Sequence, residues 1–433
     1  MSLRTLNEWL AYLEHLHPTA IELGLGRVQA VKHRLGLQPD FPIVTVGGTN
    51  GKGSTCAMLE TILHLAGYRV GCYTSPHLLN YNERVRIDRQ PVTDSALCEA
   101  FAAVEAARGE VSLTYFEFGT LAALWLFCRS KLQAAILEVG LGGRLDAVNA
   151  FDPQVAVVTS VDLDHQQYLG DTREQIGFEK AGIYRAARPA IFGDPDVPDS
   201  VLQHAEAIGA DFLRLGRDFG FIRMEAQWQF WGRRGKRHAL PLPVLRGAYQ
   251  LNNASACLAA LDELRELLPV TLQDVKRGLL EVYLPGRLQV LPGRPTVVLD
   301  VAHNPHAARA LASGLGNMGF YENSVAVFSM LQDKDIDGVI EAVHHRIDRW
   351  LVAGIEAPRG ASAQSLFERL TAHGLGGSTR LFTSVASAYA CACEEATQND
   401  RIIVFGSFYT VAEVMQARSL VGGGGAGNPL QPQ

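Results

Sequence analysis

The stretch VTVGGTNGKGSTCAML, residues 44–59, runs from an apolar, β-branched segment through a glycine-rich turn carrying one lysine into a helix-like segment. Glycines at 47, 48, 51 and 53 free the backbone to aim N–H groups at an anion, and the N-terminus of the following helix adds its dipole. Lys52 supplies a point charge suited to the β and γ phosphates of a nucleotide. The common pattern G-x-x-x-x-G-K-[ST] is nevertheless not met, since its first glycine would fall at Val46 and Lys52 is followed by Gly53 before Ser54 and Thr55. A helix is expected from Ser54 to Ala66, ended by Gly67.

Outward from this loop, short apolar runs alternate with helical stretches. The runs are FPIVTV (41–46), AAILEV (134–139), QVAVVTSV (154–161), RPAIF (188–192), PTVVLDV (295–301), SVAVFSM (324–330), RWLVAG (349–354) and RIIVFG (401–406). Continuous apolar runs imply strands buried on both faces, and their alternation with helices implies parallel α/β sheets. Thr5 and Glu8 can form a capping box ahead of an amphipathic helix. Residues 225–243 read as a β-rich excursion, and two Pro-Gly turns in 282–295 mark a domain boundary, giving domains 1–287 and 288–420. The glycine-rich end, 421–433, reads as a disordered tail.

The chain has 433 residues, 47% of them hydrophobic and 19% charged, enough for at least two cores. A net charge of −6 without a dense Lys/Arg run offers no electrostatic footprint for nucleic acid. The N-terminus lacks a signal-peptide pattern and no stretch approaches the roughly 20 apolar residues of a membrane span, so a cytoplasmic protein is expected. Seven scattered cysteines without metal or redox spacing read as reduced.

In doubly wound sheets, ligands gather beyond the carboxyl ends of strands. Here VTV leads into GGTNGKGS, ILEV carries Glu138 and leads into GLGGRLD, VVTSV into DLDH, VVLDV into AHNP, VFSM into LQDKD and IIVFG into SF. Ser75, Glu138 and the Asp162/Asp164/His165 cluster offer ligands for magnesium, which prefers hard oxygen donors against substrate phosphates. Each also has an ordinary reading: Ser75 as a turn before Pro76, Glu138 as a salt-bridged carboxylate, His165 as a core histidine. Lys180 can equally be a surface lysine paired with Glu179 or Glu174.

GTNGKGST, YTSPHL, LTYFEFGT, LEVGLGGRLDA, DHQQYLG, FEKAGI, LPGRLQ, DVAHNPHA and GSF, in that order, resemble the bifunctional dihydrofolate synthase and folylpolyglutamate synthase branch of the Mur ligase family. That branch carries GTNGKG before Ser/Thr, so the resemblance accounts for Gly53. It implies an ATP-dependent amide ligase with an N-terminal P-loop ATPase domain, a smaller C-terminal α/β domain, and ATP in the cleft between them. By motif, Thr49, Asn50, Gly51, Lys52, Gly53, Ser54 and Thr55 would hold phosphates. Ser75, Glu138 and His165 would take magnesium, and Lys180 would carry a carbamate, with Lys52, Lys180 and His165 serving catalysis. Asn253, Arg287, Asp300 and His303 would contact ATP. Thr114, Phe116, Leu145, Asp146 and Ala147 would hold the pterin, Phe116 by stacking and Asp146 by accepting N–H groups, with IELGLGRV (21–28) as a lid. Val148 stands where relatives often have threonine, and AYQLNN lacks the histidine common in Mur ligases.

The implied chemistry joins L-glutamate to dihydropteroate or a reduced folate through an acyl phosphate, in a monomer without nucleic-acid or membrane partners. The alternatives are another Mur-type amino-acid ligase and a nucleotide-hydrolysing switch. The first usually has a uridine-nucleotide domain ahead of the loop, and the second has no use for the Lys180 segment or DVAHNP.

Overall fold

The computed structural model describes residues 4–247 and 249–421. The expected tail therefore lies almost wholly outside the described residues. The chain divides into two compact units, the first ending at Val244 and resuming at Gln250–Val282, the second comprising Leu245–Tyr249 and everything from Tyr283. The division thus falls ahead of Arg287, and a five-residue excursion of the first segment belongs to the second unit.

The first unit is built on an eight-stranded sheet. Its strands are β1 (Ile43–Gly47), β2 (Val70–Tyr73), β3 (Val85–Ile87), β4 (Gln90–Pro91), β5 (Ala134–Glu138), β6 (Val155–Val158), β7 (Pro189–Phe192) and β8 (Asp211–Arg214), in the order β4-β3-β2-β5-β1-β6-β7-β8. All neighbours from β2 to β8 are parallel, while β3 and β4 run antiparallel at one edge. β1, β5 and β6 are buried at every position, which is why their sequences read as unbroken apolar runs. A three-stranded antiparallel sheet, β9 (Phe219–Arg223), β10 (Gln227–Gly232) and β11 (Gly235–Pro241), forms the expected β-rich excursion.

The N-terminal helix, Leu6–Leu16, starts with the expected Thr5/Glu8 capping box and buries Leu6, Trp9 and Leu13. Trp9 meets Phe101 and Phe118 in an aromatic cluster, with ring centroids 6.0 and 6.4 Å away, so this helix is sealed onto the main core. Among the described residues, no helix is long and apolar enough to cross a membrane.

The second unit holds a six-stranded sheet of β12 (Gln289–Leu291), β13 (Thr296–Asp300), β14 (Ser324–Phe328), β15 (Arg349–Ala353), β16 (Thr379–Phe382) and β17 (Arg401–Phe405). Its order is β12-β13-β17-β14-β15-β16, parallel except for β12. Phe328, Trp350 and Phe405 meet edge-on or tilted in its core, with ring centroids 5.0 to 6.0 Å apart.

Candidate active site

Strand order explains how distant residues meet. β1 lies between β5 and β6, with Val46 opposite Glu138 and Gly47 opposite Val158. Their carboxyl ends therefore deliver the glycine-rich loop, Glu138 and the 159–165 segment to one edge, the crevice where open α/β sheets take ligands.

The loop is strongly anchored. Thr49 N–H donates to Ser160 O at 2.9 Å, Asn50 N–H to Ser160 Oγ at 3.1 Å, and the Thr159 hydroxyl to Asn50 O at 2.6 Å. Thr49 also exchanges bonds with Asp162, its hydroxyl donating to the Asp162 carbonyl at 3.1 Å and accepting from the Asp162 N–H at 3.0 Å. Gly48 (φ +141°) and Gly51 (φ +89°) adopt backbone states that disfavour other residues. The helix begins at Lys52, not at the expected Ser54, because left-handed Gly51 serves as its N-cap. Lys52 Nζ donates to Gly48 O at 2.9 Å and Thr49 O at 3.2 Å, so its ammonium stays over the loop. Ser54 and Thr55 are both buried; the Thr55 N–H donates to Gly51 O, and its hydroxyl has no hydrogen-bond partner among the described residues.

Ser75 N–H donates to Glu138 Oε2 at 3.2 Å, which sets serine and carboxylate side by side. His165 has left-handed backbone (φ +52°), and its N–H donates to Asp164 Oδ1 at 2.9 Å. Among the described residues, no three His, Cys, Asp or Glu side chains form a ready-made metal cage. A sparse, oxygen-rich donor set beside a phosphate loop suits Mg²⁺, which keeps several waters and binds against substrate phosphates.

Lys180 is buried, in the last turn of the helix Arg173–Ala181. It is not held by the neighbours its sequence suggested: Glu179 binds Arg144 at 2.8 Å, and Glu174 accepts the Ser200 N–H at 2.7 Å. Burial, then the Lys52 charge, lowers Lys180 to about 7, against a smaller upward pull from Asp164 and Asp146. Asp146 is also buried and is raised to about 7 by desolvation, although N–H groups of Leu141 (2.8 Å) and Val148 (3.0 Å) and the charge of Lys52 favour its anion. Lys52, Lys180, Asp146 and Asp164 thus share one electrostatic environment.

On the other expected substrate residues, the Phe116 ring lies flat enough against Gly140 that a Cβ there would sit 2.7 Å from it. Thr114 caps the helix Tyr115–Arg129 in a capping box with Glu117, so its hydroxyl is already engaged by the Glu117 N–H. Glu117 in turn binds Arg27 at 3.0 Å. Leu145 O accepts from Gly24 N–H at 3.3 Å, which draws the 21–28 segment over the 145–147 turn, and Ala147 starts a short 3₁₀ turn capped by Asp146. Asn253 packs directly on Gly51.

Arg287, Asp300 and His303 belong to the second unit. Asp300, half-buried and raised above its ordinary carboxyl value by desolvation, accepts N–H groups of Leu288 and Ala302 at 2.7 Å each. The Arg287 guanidinium stacks over Phe408 at 5.1 Å, and the His303 ring stands 6.1 Å from the same phenyl. Phe408, Thr159, Ser160 and Gln250 fall inside the stretches GSF, QVAVVTSV and AYQLNN, where the sequence assigns them no individual role. Their one signal was position, at a strand end or on the first turn of a helix.

One cavity, of about 530 Å³, is lined by Lys32, Leu37, Phe41, Ile43 and Phe151 among others, at the amino end of β1. It contains none of the expected site residues, whereas the glycine-rich loop, Glu138 and the 159–165 segment lie at the carboxyl ends of the strands.

Residues 46–261 match the Mur ligase middle domain, and residues 286–408 match the Mur ligase, glutamate ligase domain. The chain is 46% identical over 412 residues to the dihydrofolate synthase/folylpolyglutamate synthase of Escherichia coli (strain K12), covering 95% of each. It is similar to the solved structure of E. coli FolC in complex with DHPP and ADP, at 45% identity and a TM-score of 0.92, covering 96% of this chain and 98% of that one. A bifunctional folylpolyglutamate synthase/dihydrofolate synthase from Yersinia pestis, complexed with AMPPNP and Mn ion, gives 47% identity, a TM-score of 0.89 and the same coverage. With both domain models matched in order and relatives covered nearly end to end, the chain belongs to the Mur ligase family, in its dihydrofolate synthase/folylpolyglutamate synthase branch.

Proposed function

We propose that this chain is an ATP-dependent amide ligase that adds L-glutamate to 7,8-dihydropteroate, forming dihydrofolate, and to reduced folates, forming folylpoly-γ-glutamates. The convergence of Lys52, Lys180, Asp146 and Asp164 behind the anchored loop carries this reading. The loop residues 49–55 bind and orient the triphosphate, with Lys52 as the charge over it. Transfer of the γ-phosphoryl to the substrate carboxylate gives an acyl phosphate, whose carbonyl carbon the glutamate amine attacks as phosphate leaves. Loop and lysine act by positioning and by opposing developing negative charge.

Ser75, Glu138 and His165 would hold Mg²⁺, which when bound supplies charge neutralisation at the phosphates. Lys180 is the carbamate carrier: an amine with its pKa near 7 is partly neutral at physiological pH, as addition to CO₂ requires. Asn253, Arg287, Asp300 and His303 are the proposed nucleotide-contacting residues. Phe116, Asp146, Thr114, Leu145 and Ala147 form the pterin side, with Phe116 offering a face and Asp146 an acceptor. The ligands are small molecules, and we infer a cytoplasmic monomer; a net charge of −6 without a dense Lys/Arg run supports the reading that nucleic acid is not a partner.

The decisive assay is ADP release with L-glutamate plus dihydropteroate, then with L-glutamate plus a reduced folate, omitting each component in turn. Release should require all components; release independent of pterin and glutamate would refute the ligase reading. Lys52→Ala should lower turnover by at least about 10²–10³-fold with the circular dichroism spectrum unchanged.

A further inference from the structure

One side chain on the first turn of the helix Gln250–Glu263 grips the phosphate loop. Gln250 Nε2 donates to Ser54 Oγ at 3.3 Å, and Gln250 Oε1 accepts from Asn253 Nδ2 at 3.1 Å. Gln250 and Asn253 are three residues apart, hence on one helix face. Asn253 is buried and turns its Oδ1 against the Cα of Gly51, leaving no room there for a Cβ. Ser54 and Gly51 both belong to the helix start that carries Lys52. A closed path therefore runs from Gly51 through Asn253 and Gln250 to Ser54, and Gln250 makes hydrogen bonds to both Asn253 and Ser54 along it.

We propose that Gln250 is a positioning residue for the nucleotide phosphates. It holds Asn253 against Gly51 and fixes the Ser54 hydroxyl, so the loop's N–H groups keep their aim without Gln250 touching the reacting atoms. This rests on the ATP-dependent reading above. The physical reason is entropic as well as geometric: the loop turns at two glycines, which carry the most backbone freedom, so its shape depends on outside restraint. The other anchors, Thr159, Ser160 and Asp162, hold the entry of the loop at Thr49 and Asn50. Gln250 and Asn253 are the restraint at its exit.

The test uses the full chain and reads ATP apart from the other substrates. Gln250→Met keeps the length and removes both bonds. It should raise KM for ATP by about five- to tenfold, the loss of one to two hydrogen bonds, with KM for L-glutamate and the thermal midpoint unchanged. Ser54→Ala should also raise KM for ATP, and the double variant should fall short of the sum of the two losses, because both remove the Gln250–Ser54 bond. An unchanged KM for ATP in Gln250→Met, fully additive losses, or a loss explained by a lowered thermal midpoint would each overturn the proposal. If the parent protein itself releases no glutamate-dependent ADP, the ligase reading has failed instead.

Discussion

Lys180 and Lys52 are two lysines that share one electrostatic environment at the carboxyl edge of the sheet: burial, and then the charge of Lys52, brings Lys180 to about 7. Two ammonium groups close together disfavour each other, so the more buried one yields its proton. This relationship turns an ordinary base into an amine that is neutral about half the time near pH 7.

If the neutral Lys180 amine takes up CO₂, activity should rise between about pH 6 and 8, and removing CO₂ from the buffer should lower it until bicarbonate is returned. A ¹³C-labelled carbamate carbonyl, detected by NMR in the parent and missing in Lys180→Arg, is the direct check. The same shift has a stability consequence. Folded Lys180 releases its proton near 7 whereas the unfolded side chain keeps it to about 10.5, so the unfolded state binds more protons between those values. Its contribution to stability therefore rises with pH across that window, and the burial cost is present in full below it.

Asp146 should impose a pH dependence on pterin binding. Burial holds its pKa near 7, so acidification below that value protonates the carboxylate and removes an acceptor. KM for dihydropteroate should increase as pH falls from 8 to 6 in the parent, and Asp146→Asn should flatten that profile. For stability the sign opposes that of Lys180: the folded state holds the proton between 3.8 and about 7, so the Asp146 contribution declines as pH rises through that window.

Gly51→Ala should disable the loop without dismantling the unit. The added Cβ would overlap Asn253 Oδ1, and a φ of +89° strains any L side chain. A stability loss of about 1–3 kcal/mol is expected, together with weakened ADP binding in calorimetry. Unchanged ADP affinity would show that the loop tolerates a shift of Asn253.

Glu60 and Arg86 form a largely buried ion pair, 2.8 Å between Arg86 Nη2 and Glu60 Oε2. Arg86 Nη1 also donates to the Thr74 hydroxyl at 3.0 Å, next to Ser75, and to Glu83 O at 2.7 Å. Glu60→Ala leaves a buried cation uncompensated and should cost about 3–5 kcal/mol, a fall in thermal midpoint on the order of 10 °C. Replacing both partners by apolar residues of similar volume should recover much of that stability. It should not recover Mn²⁺ affinity measured by electron paramagnetic resonance, if the pair also seats the Ser75 turn.

Much of the fold was legible along the chain. β5, β6, β7, β13, β14, β15 and β17 lie within the apolar runs, and β1 overruns its own only by Gly47, because strands covered on both faces need apolar residues throughout. β2, only four residues with a glycine inside, and the short edge strands β3 and β4 carried no such signature. Similarly, the helix after the loop starts at Lys52 because Gly51 can be left-handed, a backbone state that composition near Ser54 does not announce.

The kinds of residue at the site, a lysine in a glycine-rich turn and acids and histidine after apolar runs, were set by the sequence, since local chemistry and periodicity are written in neighbouring residues. Their pairing was not. That Glu138 stands opposite Val46, and that Gln250 reaches Ser54 across 196 positions, follows from sheet order and helix packing. The acidity of Lys180 and Asp146 likewise belongs to the tertiary structure, because it is created by excluding water and by charges brought in from distant segments.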